Sequence, residues 1–382
     1  MHYLDYAATT PVLPEVKDKM IEVLEQDFGN PSSVHAFGRR ARQLVEDARD
    51  RVAEAIGASP AEVVFTGGGT EAANLAIKGA ADKLRGNGNH LVVSTFEHHC
   101  VLDSADWLEK RGFEVTRLPV DSDGLVDPEA LAAAIRPSTI LVSIMAVNNE
   151  VGTIQDLPRL VEVAKSKNKN TLFHTDAVQA LGKIPVDVHA WGVDLASFAA
   201  HKLGGPKGTG ALFVRAHTPV EPVIHGGGQE RGLRSGTLNV AGIAGFGIAA
   251  EISAKEVYEK SESLLELRER LLQGMNETLT DIVVNGSLER RVAGNLNVGI
   301  KGADGETLLL LLDNAGFACS SGSACQSGAL DPSHVLLALG VPREVADGSL
   351  RFSLGRDSTE ADVGALIEVL PDIVERARKV NS

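Results

Sequence analysis

Seven short apolar runs, VVFT, LVVST, EVTRLPV, ILVSIMAV, TLFHTDA, DLASFAA and ALFVRA, recur between residues 63 and 216. Amphipathic stretches such as PEALAAAI and PRLVEVAKSK separate them. Short runs rich in Val, Ile, Leu and Phe read as strands buried on both faces, and the helical stretches between them as crossover connections. The pattern predicts an α/β fold whose largely parallel sheet is covered on both faces. From Thr237 to Asn276 the periodicity turns helical, with apolar residues three and four apart in LLELRERLLQGM. DIVVNG, GNLNVGI and LRFSLGR then supply further strands and a helix starts at Glu360, so a second, smaller α+β domain begins near residue 257. The chain shows no internal repeat or low-complexity tract.

A length of 382 residues gives two domains with sizeable cores. The net charge of −14 argues against a direct grip on DNA, RNA or an anionic membrane. Three cysteines, an odd number, suit a reducing cytoplasm rather than a disulfide framework. MHYLDYAATT has neither a basic nor an apolar leader region, and no apolar run approaches the ~20 residues of a membrane helix. The expectation is a soluble, cytoplasmic protein.

The candidate chemistry begins with FACSSGSAC (Phe317 to Cys325). Its small residues bury almost no apolar area, so a thiol held there is exposed and used, unless the stretch is a linker with incidental cysteines. In SFAAHKLGGPKGTG, a strand delivers Lys202 into a glycine-rich turn. A lysine that attacks an aldehyde must first lose a proton, and burial beside cations lowers its pKa. TLFHTDAVQ ends a strand with Asp176 and places Gln179 three residues on. A carboxylate there can hold a pyridinium nitrogen protonated, or can simply cap a helix. TGGGTE, from Thr66 to Glu71 and including Gly69 and Thr70, lies between a strand and a helix and presents backbone N–H groups to an anion. It fits neither the Walker nor the dinucleotide pattern.

A phosphate cradle, an Asp and a Lys in that order are the parts of a pyridoxal-phosphate site. With the cysteine stretch added, the chain resembles the NifS/IscS-type cysteine desulfurases, in the subgroup with an SSGSAC loop. The resemblance runs through YLDYAATTP, GNPSSVHAFGR, FTGGGTEAANLAIKG, FEHH, NNEVGTIQ, HTDAVQ, HKLGGPKGTGAL, GGGQERGLRSGTLN, SSGSACQSG and LRFSLGR. It implies the type I fold of pyridoxal-phosphate-dependent transferases. The large domain, residues 15–256, would hold a mainly parallel seven-stranded sheet between helices. Residues 1–14 and 257–382 would form the small domain with the cysteine loop.

Residue by residue, the resemblance implies that Lys202 binds the cofactor and Asp176 partners its pyridine nitrogen. Gln179 bonds its phenolic oxygen, and His98 stacks on the ring and shuttles protons. Gly69, Thr70 and His201 hold the phosphate, with Thr237 donated by a neighbouring subunit, so a homodimer is expected. Asn149, near the cofactor, and Arg351 hold the substrate carboxylate. Cys325 is the nucleophile that takes sulfur from L-cysteine, leaving L-alanine, and passes it to an acceptor such as an Fe–S scaffold or a thiolation enzyme. A selenocysteine lyase or aminotransferase of the same fold, or a non-catalytic sulfur carrier, are the alternatives.

The chain departs from the pattern at Ala199, where the family has Ser, and Ser197 or the glycine turn is expected to compensate. Cys319 reads as a small buried residue. The adjacent His98, His99 and Cys100 cannot all face one ion, so no metal is expected. The chain stops soon after its last helix, without the longer tail of scaffold-serving relatives, and its acceptor is not read from the sequence.

Overall fold

The computed structural model describes residues 1–321 and 332–380. After the two-residue strand β1 (His2–Tyr3) come β2 (Val63–Thr66), β3 (His90–Ser94), β4 (Glu114–Leu118), β5 (Thr139–Ser143), β6 (Leu172–Asp176), β7 (Leu195–Ala199) and β8 (Gly210–Val214). The last seven form one sheet in the order β2-β8-β7-β6-β5-β3-β4. It is parallel except for β8, which runs against both its neighbours. Each apolar run of the sequence is thus a strand of one sheet.

Side chains alternate across that sheet. Phe65, Val92, Val142, Phe173, Phe198 and Phe213 pack into one apolar layer, and Val64, Leu91, Leu141, Leu195 and Leu212 into the other. Helices on both faces explain why six of the strands are buried at every position. At the edge, β4 exposes Glu114 and Arg117, charges that discourage pairing with another chain.

The 39-residue helix Val240–Thr278 crosses the molecule, spanning roughly 58 Å at 1.5 Å per residue. Its first half packs Ile243, Phe246 and Ala250 under the large sheet. Its second half packs Leu271, Leu272 and Met275 into a separate core with Leu4, Leu296, Phe352 and Leu366. Strands β9 (Ile282–Val284), β10 (Asn295–Ile300) and β12 (Ser349–Ser353) form an antiparallel sheet there, and β11 (Phe317–Ala318) pairs with β1.

The N-terminal segment therefore starts in the smaller layer and crosses to the larger one. Ser353 N donates to Leu4 O at 2.8 Å, and Leu13 N to Gly204 O at 2.9 Å. Between them, residues 5–12 run over the carboxyl ends of the central strands. Gly355 admits this crossing, since a Cβ there would lie 2.0 Å from the Tyr6 ring.

Candidate active site

The carboxyl ends of β2, β3, β5, β6 and β7 open on a cavity of about 330 Å³, the usual place for a ligand in an open α/β sheet. Its wall takes Gly69 and Thr70 after β2, His98 after β3, Asn149 after β5, and Asp176 and Gln179 from β6 onward. His201 and Lys202 follow β7, and Arg351 reaches in from β12. Thr237 is exposed and does not line this cavity in its own chain. Cys325 lies outside the described residues.

One end is built for an anion. Helix Gly69–Leu84 starts there, and the N–H groups of its first turn have no carbonyl within the helix to bond. A Cβ on Gly69 would sit 2.6 Å from Val178 Cγ2, so only glycine lets the turn approach so closely. Glu71 braces the turn, accepting from Gly67 N at 2.9 Å and pairing with Arg234 at 2.8 Å. Thr70 is exposed toward the same space. His201 is pushed down to about 4, mostly by burial and then by Lys202, so its imidazole is neutral at pH 7. Ala199 lies in the wall, but Ser197 does not compensate for it. That residue sits one strand repeat deeper, with its Oγ 2.9 Å from His174 Nε2, and does not line the cavity.

At the other end Asp176 is buried. Its Oδ1 accepts from Val178 N at 2.9 Å, and Cys100 Sγ donates to Oδ2 at 3.8 Å. Burial pushes this carboxyl up, against the pull of His98 and Lys202. His98 caps helix His99–Glu109, its Nδ1 accepting from Cys100 N at 3.1 Å, and burial pushes its imidazole down. Between the ends, Lys202 Nζ donates to Ala7 O at 2.6 Å and Ala8 O at 2.8 Å. Gln179 Nε2 donates to the same Ala7 O at 2.9 Å.

Arg351 is buried, with Nη1 on Asn149 O at 2.9 Å and Nη2 on Asp5 Oδ1 at 2.7 Å. Its Nε is buried with no hydrogen-bond partner among the described residues. Asp5 and the Ala7 and Ala8 carbonyls were not singled out in the sequence, although YLDYAATTP contains them. Glu150 is a further wall residue that the motif NNEVGTIQ did not flag. Burial lifts its carboxyl to about 7, and Ser333 Oγ donates to it at 2.5 Å.

The three adjacent residues His98, His99 and Cys100 do not converge, because His99 turns away to pack on His334 at 4.7 Å. His98 and Cys100 instead meet Asp176, all three ligand atoms lying within 4.8 Å of one another. Cys319 packs against the small-domain core, and its thiol is pushed up to about 12, chiefly by burial and then by Asp5.

Behind the site, Glu97 is fully buried, with Oε1 accepting from Ser94 Oγ at 2.5 Å and from Met145 N at 2.7 Å. Burial lifts its carboxyl from 4.5 to about 8. Between those values the folded chain keeps a proton that the unfolded chain gives up, so stability falls as pH rises through that window. Glu97→Gln keeps the acceptor and is expected to flatten the slope by up to roughly 1.4 kcal/mol per pH unit. Thermal denaturation at pH 5 and pH 8 checks this. An unchanged difference in Tm would mean that the carboxyl ionises at no cost.

Residues 2–366 match the aminotransferase class-V family. The chain belongs to that family. Among class-V relatives, cysteine desulfurase IscS of Dictyoglomus turgidum is 48% identical, with 99% of this chain and 96% of the relative covered. A mitochondrial cysteine desulfurase of Arabidopsis thaliana is 48% identical over 99% of this chain and 83% of its own. A solved NifS-like protein superposes with a TM-score of 0.93 at 40% identity, covering 98% of this chain and all of its own. A structure described as SspA in complex with cysteine gives 0.83 at 37% identity, covering 93% of this chain and 99% of that one.

Class-V enzymes use pyridoxal phosphate, and it is the cofactor of this chain. The cavity fits it on its own evidence: a glycine-lined N–H cradle at one end, a buried carboxylate at the other, and a lysine amine between them.

Proposed function

We propose that the residues of this cavity, with Cys325, remove sulfur from L-cysteine and hold it on the enzyme before an acceptor takes it. The chain is a pyridoxal-phosphate-dependent cysteine desulfurase of the class-V family. The observation that carries the residue assignment is the single cavity in which Lys202, Asp176, His98, Gln179, Asn149 and Arg351 meet.

Gly69, Thr70 and His201 would hold the cofactor's phosphate, and Asp176 the proton on its ring nitrogen. Gln179 would donate to its phenolic oxygen, and His98 would cover the ring. Bound there, the cofactor supplies an aldehyde for the substrate amine and a sink for the electrons released at Cα. Lys202 Nζ takes the Cα proton. Arg351 and Asn149 bind the substrate carboxylate and so orient the Cα–H bond toward Lys202. His98 moves protons at the face of the ring. Cys325 Sγ attacks the substrate sulfur as a thiolate, the S–S bond forming as the Cβ–S bond breaks; the electron pair stays with the carbon skeleton, Cβ takes up a proton, and L-alanine leaves while the sulfur remains as a persulfide.

Residues 15–256 form the large domain in this reading, with 1–14 and 257–382 as the small one. β1 paired to β11 and the shared core around Leu4 support that division. A homodimer is part of the same reading. Thr237 is exposed on its own chain, and a wide opening beside the phosphate turn, lined by Gly67, Thr70, Val223, Ile224 and Arg234, leaves room for a partner's loop. No helix among the described residues is long and apolar enough to cross a membrane, and we place the enzyme in the cytoplasm. The acceptor would be a protein such as an Fe–S scaffold or a thiolation enzyme.

The reading is tested by incubating purified enzyme with L-cysteine and a thiol reductant. L-alanine and sulfide are expected in equal amounts. Pyruvate with ammonia, or a keto acid without sulfide, would indicate a different reaction on the same fold.

Arg351→Ala is expected to keep its cofactor, to raise KM for cysteine, and to lower kcat/KM by about 2 to 4 kcal/mol. Steady-state kinetics beside the visible spectrum check both halves. An unchanged kcat/KM would assign the carboxylate to another residue.

A further inference from the structure

An amide side chain has a donor end and an acceptor end, and Gln179 can serve the cofactor's phenolic oxygen only with its N–H end forward. Something must choose that orientation. Lys183, four residues further on, donates from Nζ to Gln179 Oε1. An ammonium or amine N–H can bond only the oxygen end, so the Nε2 end is left facing the cavity wall, on Ala7 O at 2.9 Å. The same carbonyl accepts from Lys202 Nζ at 2.6 Å. Lys183, Gln179, the Ala7 carbonyl and Lys202 thus form one continuous chain of hydrogen bonds.

The backbone fixes the lysine in place. Ala180 N donates to Ala177 O at 2.9 Å and Lys183 N to Ala180 O at 2.9 Å, two successive turns that stack Lys183 on Gln179. Its side chain lines a second cavity of about 120 Å³ between the two layers, which touches Lys202, Gln179 and Asn149 from behind. Three of the charged groups around that cavity have partners of their own. Arg356 pairs with Glu256 at 2.9 Å, and Tyr6 Oη donates to Asp357 at 3.5 Å, while Lys260 completes the wall. Toward the active site, Lys183 faces Lys202 and Arg351, and burial first, then these two neighbours, push its amine well below the usual lysine range. Burying an amine against an amide and beside the Arg351 guanidinium costs stability that an apolar side chain would not. Such a cost beside a reaction centre points to a use.

We infer that Lys183 is a positioning residue, which holds the Gln179 amide with its N–H toward the cofactor's phenolic oxygen and excludes the flipped arrangement. The inference rests on the role given to Gln179 above. Removing the lysine leaves the amide held only at its N–H end, by Ala7 O, so it rotates more freely and the N–H is lost from the cofactor part of the time. A donor on an oxygen draws charge from it and lowers the pH at which a neighbouring proton leaves. Its loss therefore raises the pH midpoint of the cofactor's visible band.

The experiment compares holoenzyme with Lys183→Met, Lys183→Gln and Gln179→Ala, reading the visible spectrum across pH and kcat and KM separately. For Lys183→Met, the expected result is a midpoint raised by about half a unit or more and a kcat about tenfold lower, with KM within about twofold. Lys183→Gln, which keeps an N–H donor for Oε1, should recover most of both. If the Met variant does not fold, Lys183→Ser is read by the same criteria, being too short to reach Gln179 and polar enough to hold water. A Lys183→Met enzyme with wild-type midpoint and kcat, beside a Gln179→Ala enzyme whose midpoint moves, overturns the inference and leaves the role of Gln179 standing. A Gln179→Ala enzyme with an unaltered spectrum overturns the role of Gln179 itself.

Discussion

Lys202→Ala is expected to fold, to lack the yellow colour of covalently held cofactor, and to form L-alanine from L-cysteine at least about 10³- to 10⁴-fold more slowly. The proposal gives this amine two roles, the covalent hold on the cofactor and the removal of the Cα proton. The surroundings suit both. Lys202 stands at the end of β7, its Nζ is held by the Ala7 and Ala8 carbonyls, and Lys183 and His201 crowd it. Folding should survive, because the side chain faces a cavity rather than either apolar layer. Absorption spectra and an alanine assay on the purified variant decide the matter. Normal turnover in Lys202→Ala would remove the basis of the mechanism.

Cys325→Ala is expected to bind L-cysteine and change colour, yet to release no sulfide above background. The other two thiols are poor substitutes. Cys319 is pushed up to about 12, so at pH 7 roughly one part in 10⁵ is thiolate. Cys100 is buried and also pushed up, with Asp176 beside it as the second cause after burial. The thiolate is the nucleophile, so neither should take over. Cys319→Ala should accordingly keep desulfurase activity within about twofold, the usual scale for a conservative change away from the chemistry. Sulfide release by each variant under the same reductant checks both expectations. Full activity in Cys325→Ala would overturn the assignment of the nucleophile.

Six of the seven strands were legible because a sheet covered on both faces demands continuous apolar runs, whereas the edge strand β4 carries exposed charges. The site was legible where a motif places its residue at or soon after the end of a strand. Asp176 ends β6 itself, Gly69, His98, Asn149 and Lys202 come three to six residues after their strands, and all five share one cavity. Contacts between distant segments were not legible. Asp5 meets Arg351 across 346 residues, and the Ala7 carbonyl meets Lys202 across 195. Neither partner carries a local sign of the other.

The choice between Ser197 and the glycine turn was likewise open in the sequence. Period-two reasoning puts Ser197 and Ala199 on one face, but only the structure shows His174 occupying the Ser197 hydroxyl from the neighbouring strand. Lys183 escaped notice because a lysine near a Gly-Lys-Ile-Pro turn reads as surface. Burial against Gln179 becomes visible only once the two layers have closed over it.

The central claim is that sulfur leaves L-cysteine in the cavity around Lys202 and comes to rest on Cys325. Mass spectrometry of the wild-type holoenzyme after a single turnover with L-cysteine, with no reductant present, tests it most directly. The predicted result is one added sulfur, about 32 mass units, mapped to the peptide containing Cys325, with one equivalent of L-alanine in solution. Alanine formed with the added sulfur on Cys319 or Cys100, or a chain that keeps its original mass, would contradict it.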